Sequence, residues 1–274
     1  MNEITEHYVY LALSKRAKGK NSKILREIAN DEKRHYEMLK SITKKDVKPN
    51  KLKIFVYKLM AILFGLTFTL RFMETNETNA IQTYSKLRKI SPNIEKIIED
   101  EEKHEEKMIK MIEEERLEYI GSIVLGMNDA LVELTGTLVG VAFAVKNNVL
   151  IAITGVIMGI AAALSMAASN YFSEKEEGRK DPIKSAVYTG IAYILVVFIL
   201  VSPFLFLKDI VISVGIMLAL TVFIIAIYTF YVSTVKGEKF LNRFAEMFLV
   251  VGVVTIVSFL LGNFIQSFIK NGNI

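Results

Sequence analysis

The chain of 274 residues contains no cysteine, only four prolines and only three histidines. Without cysteine there is no disulfide, iron–sulfur cluster, zinc knuckle or rubredoxin-type iron site. No G-x-x-x-x-G-K-[ST] phosphate loop occurs, which argues against transport driven by ATP hydrolysis at such a site. The opening MNEITEHY is polar and acidic and does not read as a cleavable signal peptide. A large excess of one charge is missing too: 34 Lys and Arg stand against 29 Asp and Glu, a formal balance of +5. The basic residues mix with acids in the first half and gather in loops in the second. That distribution suits membrane orientation, and nucleic acid is not expected as a partner.

What is present divides the chain in two. Charge concentrates before residue 119 and long apolar runs follow it. The expected architecture is all-α: a soluble four-helix domain over 1–118, then a five-helix transmembrane domain over 119–274. In the first domain, helices are expected over 3–18, 22–44, 52–90 and 92–118. Lys18-Gly19-Lys20-Asn21 stops the first helix, and Asn21 or Ser22 is the expected cap of the second. Pro49-Asn50 breaks the chain again, and Ser91-Pro92 opens the fourth helix.

An internal repeat marks this domain. Asp31-Glu32-x-x-His35-x-Glu37-Met38 returns as Asp100-Glu101-x-x-His104-x-Glu106-x-Met108. Paired acids at i, i+3 precede each copy, Glu3 and Glu6 before the first and Glu74 and Glu77 before the second. Glu and His three residues apart share one helix face, so both can reach a metal between helices. A Glu from each of two helices and Glu-x-x-His from two others is the ligand pattern of di-metal carboxylate bundles. Carboxylate and imidazole donors suit iron or manganese. The arrangement resembles the ferritin-like superfamily, particularly its rubrerythrin branch. The resemblance implies a di-iron site with Glu32, His35, Glu101 and His104 as ligands. From the preceding helices Glu6 and Glu74 are favoured, with Glu3 and Glu77 as near alternatives. His7 lies outside the motif and is expected to be a solvated neighbour.

Ile54–Leu70 looks like an extra span, but Lys58 and Arg71 leave only Leu59–Leu70 free of charge. Twelve residues do not cross roughly 30 Å of hydrocarbon. A buried helix, or one lying against a partner or the bilayer surface, is expected instead. The acid-rich segment 95–118 reads as a solvated face that also concentrates cations. If it runs unbroken into the next segment, His104 and Asp129 stand about 37 Å apart.

Tyr119–Val145 is long and apolar enough to cross a bilayer, yet it carries Asp129 and Glu133 near its middle. The two acids are four residues apart, one turn along one helix face. An acid at the bilayer centre costs about 2.5–3.5 kcal/mol on insertion scales, so an intramembrane pair points to an ion pathway. Five spans are expected, over 120–145, 149–173, 185–207, 210–234 and 244–269. Lys175, Arg179, Lys180, Lys184, Lys236, Lys239 and Arg243 follow spans two and four, against Lys146, Lys208 and Lys270 on the other side. The positive-inside rule then sets the N-terminus in the cytoplasm and the C-terminus outside. Gly136-x-x-x-Gly140 and Gly155-x-x-x-Gly159 permit close helix approach, and on span one a homodimer face. Span two ends in Ser165-Met166-Ala167-Ala168-Ser169-Asn170, which sets a soft thioether and an amide one turn apart.

Gly126-Met127-Asn128-Asp129-Ala130-Leu131 followed by Ser165-Met166-Ala167 resembles the vacuolar iron transporter family over about 119–270. The resemblance implies a dimeric exchanger in the cell membrane that moves Fe²⁺, and often Mn²⁺, out of the cytosol against protons. Asp129 then matches the aspartate on the ion path and Met166 the metal-binding methionine. Two departures stand out. Gly-Glu usually follows the S-M-A-x run, where this chain has Ser169-Asn170, and the helical insert between spans two and three is reduced to Ser173–Pro182. Glu133 is the expected replacement for the missing carboxylate, and the ferritin-like domain for the insert. The whole resembles the ferritin-like–transporter fusions of prokaryotes. The function expected is export of divalent metal collected at the bundle site and passed by Asp129, Glu133, Met166 and Asn170. The alternatives are a membrane-anchored rubrerythrin-like ferroxidase or peroxidase and a manganese exporter with a sensor domain.

Overall fold

The computed structural model describes residues 3–73, 92–110, 119–179 and 181–270. Among them every regular element is helical, and no strand occurs. The chain divides near residue 114 into two compact units.

In the first unit, α1 (Glu3–Ser14) and α2 (Gly19–Thr43) pack side by side, α3 (Lys51–Leu63) joins α1, and α5 (Pro92–Lys110) lies against α2. A short helix, α4, occupies 66–73. The core draws Val9, Tyr10 and Leu13 from α1, Leu25, Ile28 and Ala29 from α2, Ala61 from α3, Leu70 and Met73 from α4 and Met108 from α5. Burying each large apolar side chain contributes roughly 1.5–3 kcal/mol.

Three helix boundaries differ from expectation, each for a local reason. α1 ends at Ser14 because the backbone turns through Gly19 in the left-handed region (φ +56°) and α2 starts there. The expected caps Asn21 and Ser22 therefore lie inside α2, and Ser22 donates its hydroxyl to the Ser14 carbonyl at 2.7 Å. The third helix breaks at Gly65, whose φ of +92° no α-helix accommodates. Asn50 caps α3, accepting from the Lys53 N–H at 3.1 Å, a role not assigned to it from the sequence. Residues 74–91 and 111–118 lie outside the described residues, and with them Glu74, Glu77 and the link expected to carry one helix from His104 to Asp129.

The second unit holds five helices long and apolar enough to cross a membrane: α6 (Ile120–Val145), α7 (Asn148–Glu176), α8 (Pro182–Phe206), α9 (Ile210–Lys236) and α10 (Phe240–Lys270). The turn between α6 and α7 is two residues long, with Lys146 left-handed and Asn147 accepting from the N–H groups of Val149 and Leu150. Leu131, Leu134 and Leu138 of α6 meet Tyr193, Val197 and Leu200 of α8 in the core.

Small residues set how closely these helices meet. A Cβ on Gly126 would collide with the Thr189 backbone of α8, and one on Gly262 with the Gly140 backbone of α6. Gly155 and Gly159 of α7 admit Leu138, Val201 and Val197. The Gly136/Gly140 face, expected to be open to a second copy, is instead filled by Val254 and Ser258 of α10 from the same chain. A fifth span packed in cis satisfies the face that spacing alone assigned to a partner.

Candidate metal centre

The two copies of the repeat bring their Glu and His residues together. Glu3, Glu32, His35 and Glu101 are all buried, and each offers one ligand atom within 4.8 Å of the others. His104 joins them, its Nδ1 at 3.3 Å from Glu32 and 3.7 Å from Glu101. His35 Nδ1 lies 3.6 Å from Glu32 and 3.5 Å from Glu101. The imidazole rings stand 6.0 Å apart.

From α1 the acid that enters is Glu3. Glu3 is 3% exposed, whereas Glu6, the acid favoured from the sequence, is half-buried one turn on and is not among the four residues so grouped. His7, expected to be a solvated neighbour, is half-buried. Its Nδ1–H donates to the Ala29 carbonyl at 2.6 Å, tying α1 to α2.

Sequence reasoning missed what holds the histidines. Each copy of the motif begins with an aspartate, and each aspartate reaches across to the other copy's imidazole. His104 Nε2 lies 3.0 Å from Asp31 and His35 Nε2 lies 3.3 Å from Asp100. Arg34 joins the two aspartates, at 2.8 Å from Asp31 and 2.7 Å from Asp100. The recurrence of Asp directly before Glu in both copies was the signal available. Carboxylates on the outer nitrogen fix the tautomer and aim the inner nitrogen at the centre.

The inner atoms are left without hydrogen bonds. His35 Nδ1, His104 Nδ1 and Glu32 Oε2 are buried with no hydrogen-bond partner, their mutual distances being those of ion pairs. Buried polar atoms without a partner are uncommon and costly. Two inward imidazole nitrogens among three carboxylates form a donor set that fits a divalent cation such as Fe²⁺ or Mn²⁺.

Electrostatics agree with that geometry. Burial lowers the His35 imidazolium, but Glu101 and Glu32 outweigh it and hold it up at about 10. Burial likewise opposes charge on His104, and Glu101, Glu32 and Asp31 lift it to about 10. For Glu32, burial raises the carboxyl, yet His104, His35 and Glu3 bring it down to about 2. In the metal-free protein two imidazolium charges thus offset part of the negative charge of the centre.

In the second unit, α6 carries Asp129 and Glu133, both half-buried and close enough for their charges to interact. Tyr193 of α8, fully buried, donates its hydroxyl to Glu133 at 2.7 Å. Thr135, two residues further on, meets Thr221 of α9 at 3.2 Å. Met166 of α7 is half-buried and packs against the apolar core of the second unit. Asn170, one turn on, is buried and its Oδ1 has no hydrogen-bond partner. Glu174, a further turn along the same face, is buried and ion-paired with Arg179 at 3.1 Å. It was not singled out from sequence, although the i+4 spacing from Asn170 was there to see.

Residues 120–180, which contain α6 and α7 with Asp129, Glu133, Met166 and Asn170, match the model of the VIT family, the vacuolar iron transporters. No curated protein and no solved structure matches the chain. The five apolar helices and this match together indicate a multi-pass membrane protein.

Proposed function

We propose that the chain is a secondary transporter that moves Fe²⁺, and Mn²⁺ by the same chemistry, out of the cytosol in exchange for protons. The observation that carries this reading is the acidic pair Asp129 and Glu133 on an otherwise apolar helix of the VIT-like segment, with Glu133 engaged by a buried tyrosine. A carboxylate at that depth is sustained only by a partner that neutralises it, and a divalent cation and a proton do so in turn. Asp129 and Glu133 are the exchanging acids, and Met166 and Asn170 the soft and neutral donors beside the path. The excess of basic residues after spans two and four supports a cytoplasmic N-terminus in the cell membrane and a C-terminus outside. A homodimer belongs to this reading, formed by faces other than the filled Gly136/Gly140 seam.

The first unit is read as a ferritin-like centre that gathers the metal before transport. Glu3, Glu32, His35, Glu101 and His104 hold it, with Glu6, Glu74 and Glu77 as the further acids of a di-iron site. Bound iron there would supply redox chemistry, and the crossed aspartates keep the imidazoles directed at it. That buried cluster also favours a second reading, a membrane-anchored ferroxidase or peroxidase.

Flux into liposomes containing the full chain tests the first reading. Asp129→Ala combined with Glu133→Ala should abolish Fe²⁺ uptake and the proton movement coupled to it. Unchanged flux in that variant would reject the transporter. Oxygen or peroxide consumption without any metal flux would establish the enzyme instead.

A further inference from the structure

Helix α3 is apolar on two opposite faces, and the unit's core uses one of them. Ile54, Tyr57 and Ala61 turn inward against α1 and the rest of the core. Leu52, Phe55, Val56, Leu59, Ile62 and Leu63 remain 41–71% exposed. At 3.6 residues per turn these six fall within an arc of about 120°, at positions i, i+3, i+4, i+7, i+10 and i+11. The exposed lysines of the helix border that arc: Lys51 and Lys58 along one edge and Lys53 along the other. Lys44, Lys45 and Lys48, in the turn before α3, are exposed as well.

A stripe of this size is unusual on a surface facing water. Thirteen residues extend only about 20 Å, too short to span a bilayer. An apolar stripe edged by lysines is, however, the chemistry of a helix lying in the plane of a membrane surface. The lysines complement anionic headgroups while the stripe meets the acyl boundary. The same chain carries five membrane spans, so a bilayer is always within its reach.

We propose that α3 is an interfacial helix that seats the first unit on an anionic bilayer surface, with Leu52, Phe55, Leu59 and Ile62 at the boundary between headgroups and acyl chains. The inference concerns lipid, and it holds whether or not the chain transports metal.

The absence of cysteine makes the test specific, because an introduced thiol is the only one in the chain. Phe55→Cys and Ile62→Cys, with Lys23→Cys on the exposed side of α2 as reference, are spin-labelled in the full-length protein. Each is reconstituted into phosphatidylcholine vesicles with and without phosphatidylglycerol. Collision of the label with oxygen, which favours lipid, is compared with collision with water-soluble chromium oxalate. In anionic vesicles the labels at 55 and 62 should become oxygen-accessible and shielded from chromium, while the label at 23 stays in water. Each lysine contributes roughly fivefold to partitioning onto an anionic surface. Losing three lysines alone is worth about a hundredfold, so reversing Lys51, Lys53 and Lys58 to Glu together should shift the seated-to-free ratio by at least that much. Metal binding by the first unit, retained in that variant, shows that it still folds. Labels at 55 and 62 that remain in water in anionic vesicles overturn the proposal. Equal shielding in neutral vesicles removes the role of headgroup charge. Dipolar coupling between labels on two copies overturns it in favour of a second chain covering the stripe.

Discussion

His104 and Asp31 face each other across the two copies of the repeat, the imidazole Nε2 3.0 Å from the carboxylate, and His35 and Asp100 form the reciprocal pair. Neither aspartate is within the group of inner ligand atoms, yet each decides where an inner nitrogen points. Asp31→Ala or Asp100→Ala should therefore weaken metal binding by about 10–100-fold while helicity is unchanged. Competition with a metal chelator of known affinity measures this, and wild-type affinity in both variants would remove the positioning role. Arg34→Ala should act in the same direction through both aspartates at once.

The protons at the metal-free centre give a pH dependence with a definite sign. His35 and His104 are raised from an ordinary 6.5 to about 10. Their stabilisation of the metal-free unit is complete below pH 6.5 and disappears as pH rises through 10. Glu32 is lowered from 4.5 to about 2, so its contribution is present above pH 4.5 and is lost as pH falls through 2. Metal must displace the two histidine protons. Apparent affinity should then climb by up to about a hundredfold per pH unit as pH rises toward 10 and level off above it. Isothermal titration in buffers of different ionisation heat counts the protons released, and a count of zero would contradict the assignment.

Tyr193 predicts a separable effect in the membrane. A hydrogen bond to a charged group contributes roughly 1.5–3 kcal/mol net, so Tyr193→Phe should reduce metal flux by about tenfold or more. In a Glu133→Gln background the same substitution should have little further effect, because the two residues act as a pair. Additive losses in the double variant would show that Tyr193 acts elsewhere.

Much of this was legible in the sequence. Hydropathy over 120–270 gave five spans, and the helices found are within four residues of the expected ends. The repeated D-E-x-x-H located four of the five inner residues, because a helical period fixes which side chains share a face. What spacing could not decide was Glu3 against Glu6, since residues three apart lie on nearly the same face and packing makes the choice. Gly136 and Gly140 announced a close approach without saying to what. Long-range partners such as Asp31–His104, 73 residues apart, and Glu133–Tyr193, 60 apart, depend on tertiary contacts that no local pattern encodes.

The glycine contacts can be tested directly. A Cβ on Gly262 would collide with the Gly140 backbone, whereas one on Gly252 of the same helix meets nothing. Gly262→Ala should destabilise the membrane unit by roughly 1–3 kcal/mol, seen as a lower Tm in detergent. Gly252→Ala should leave Tm unchanged or slightly raised. Equal behaviour of the two variants would remove the close approach from consideration.

Where two helices meet backbone to backbone, any side chain larger than hydrogen would hold them apart. The Gly140–Gly262 contact therefore fixes how near α6 and α10 can lie, and through α6 it bears on where Asp129 and Glu133 sit.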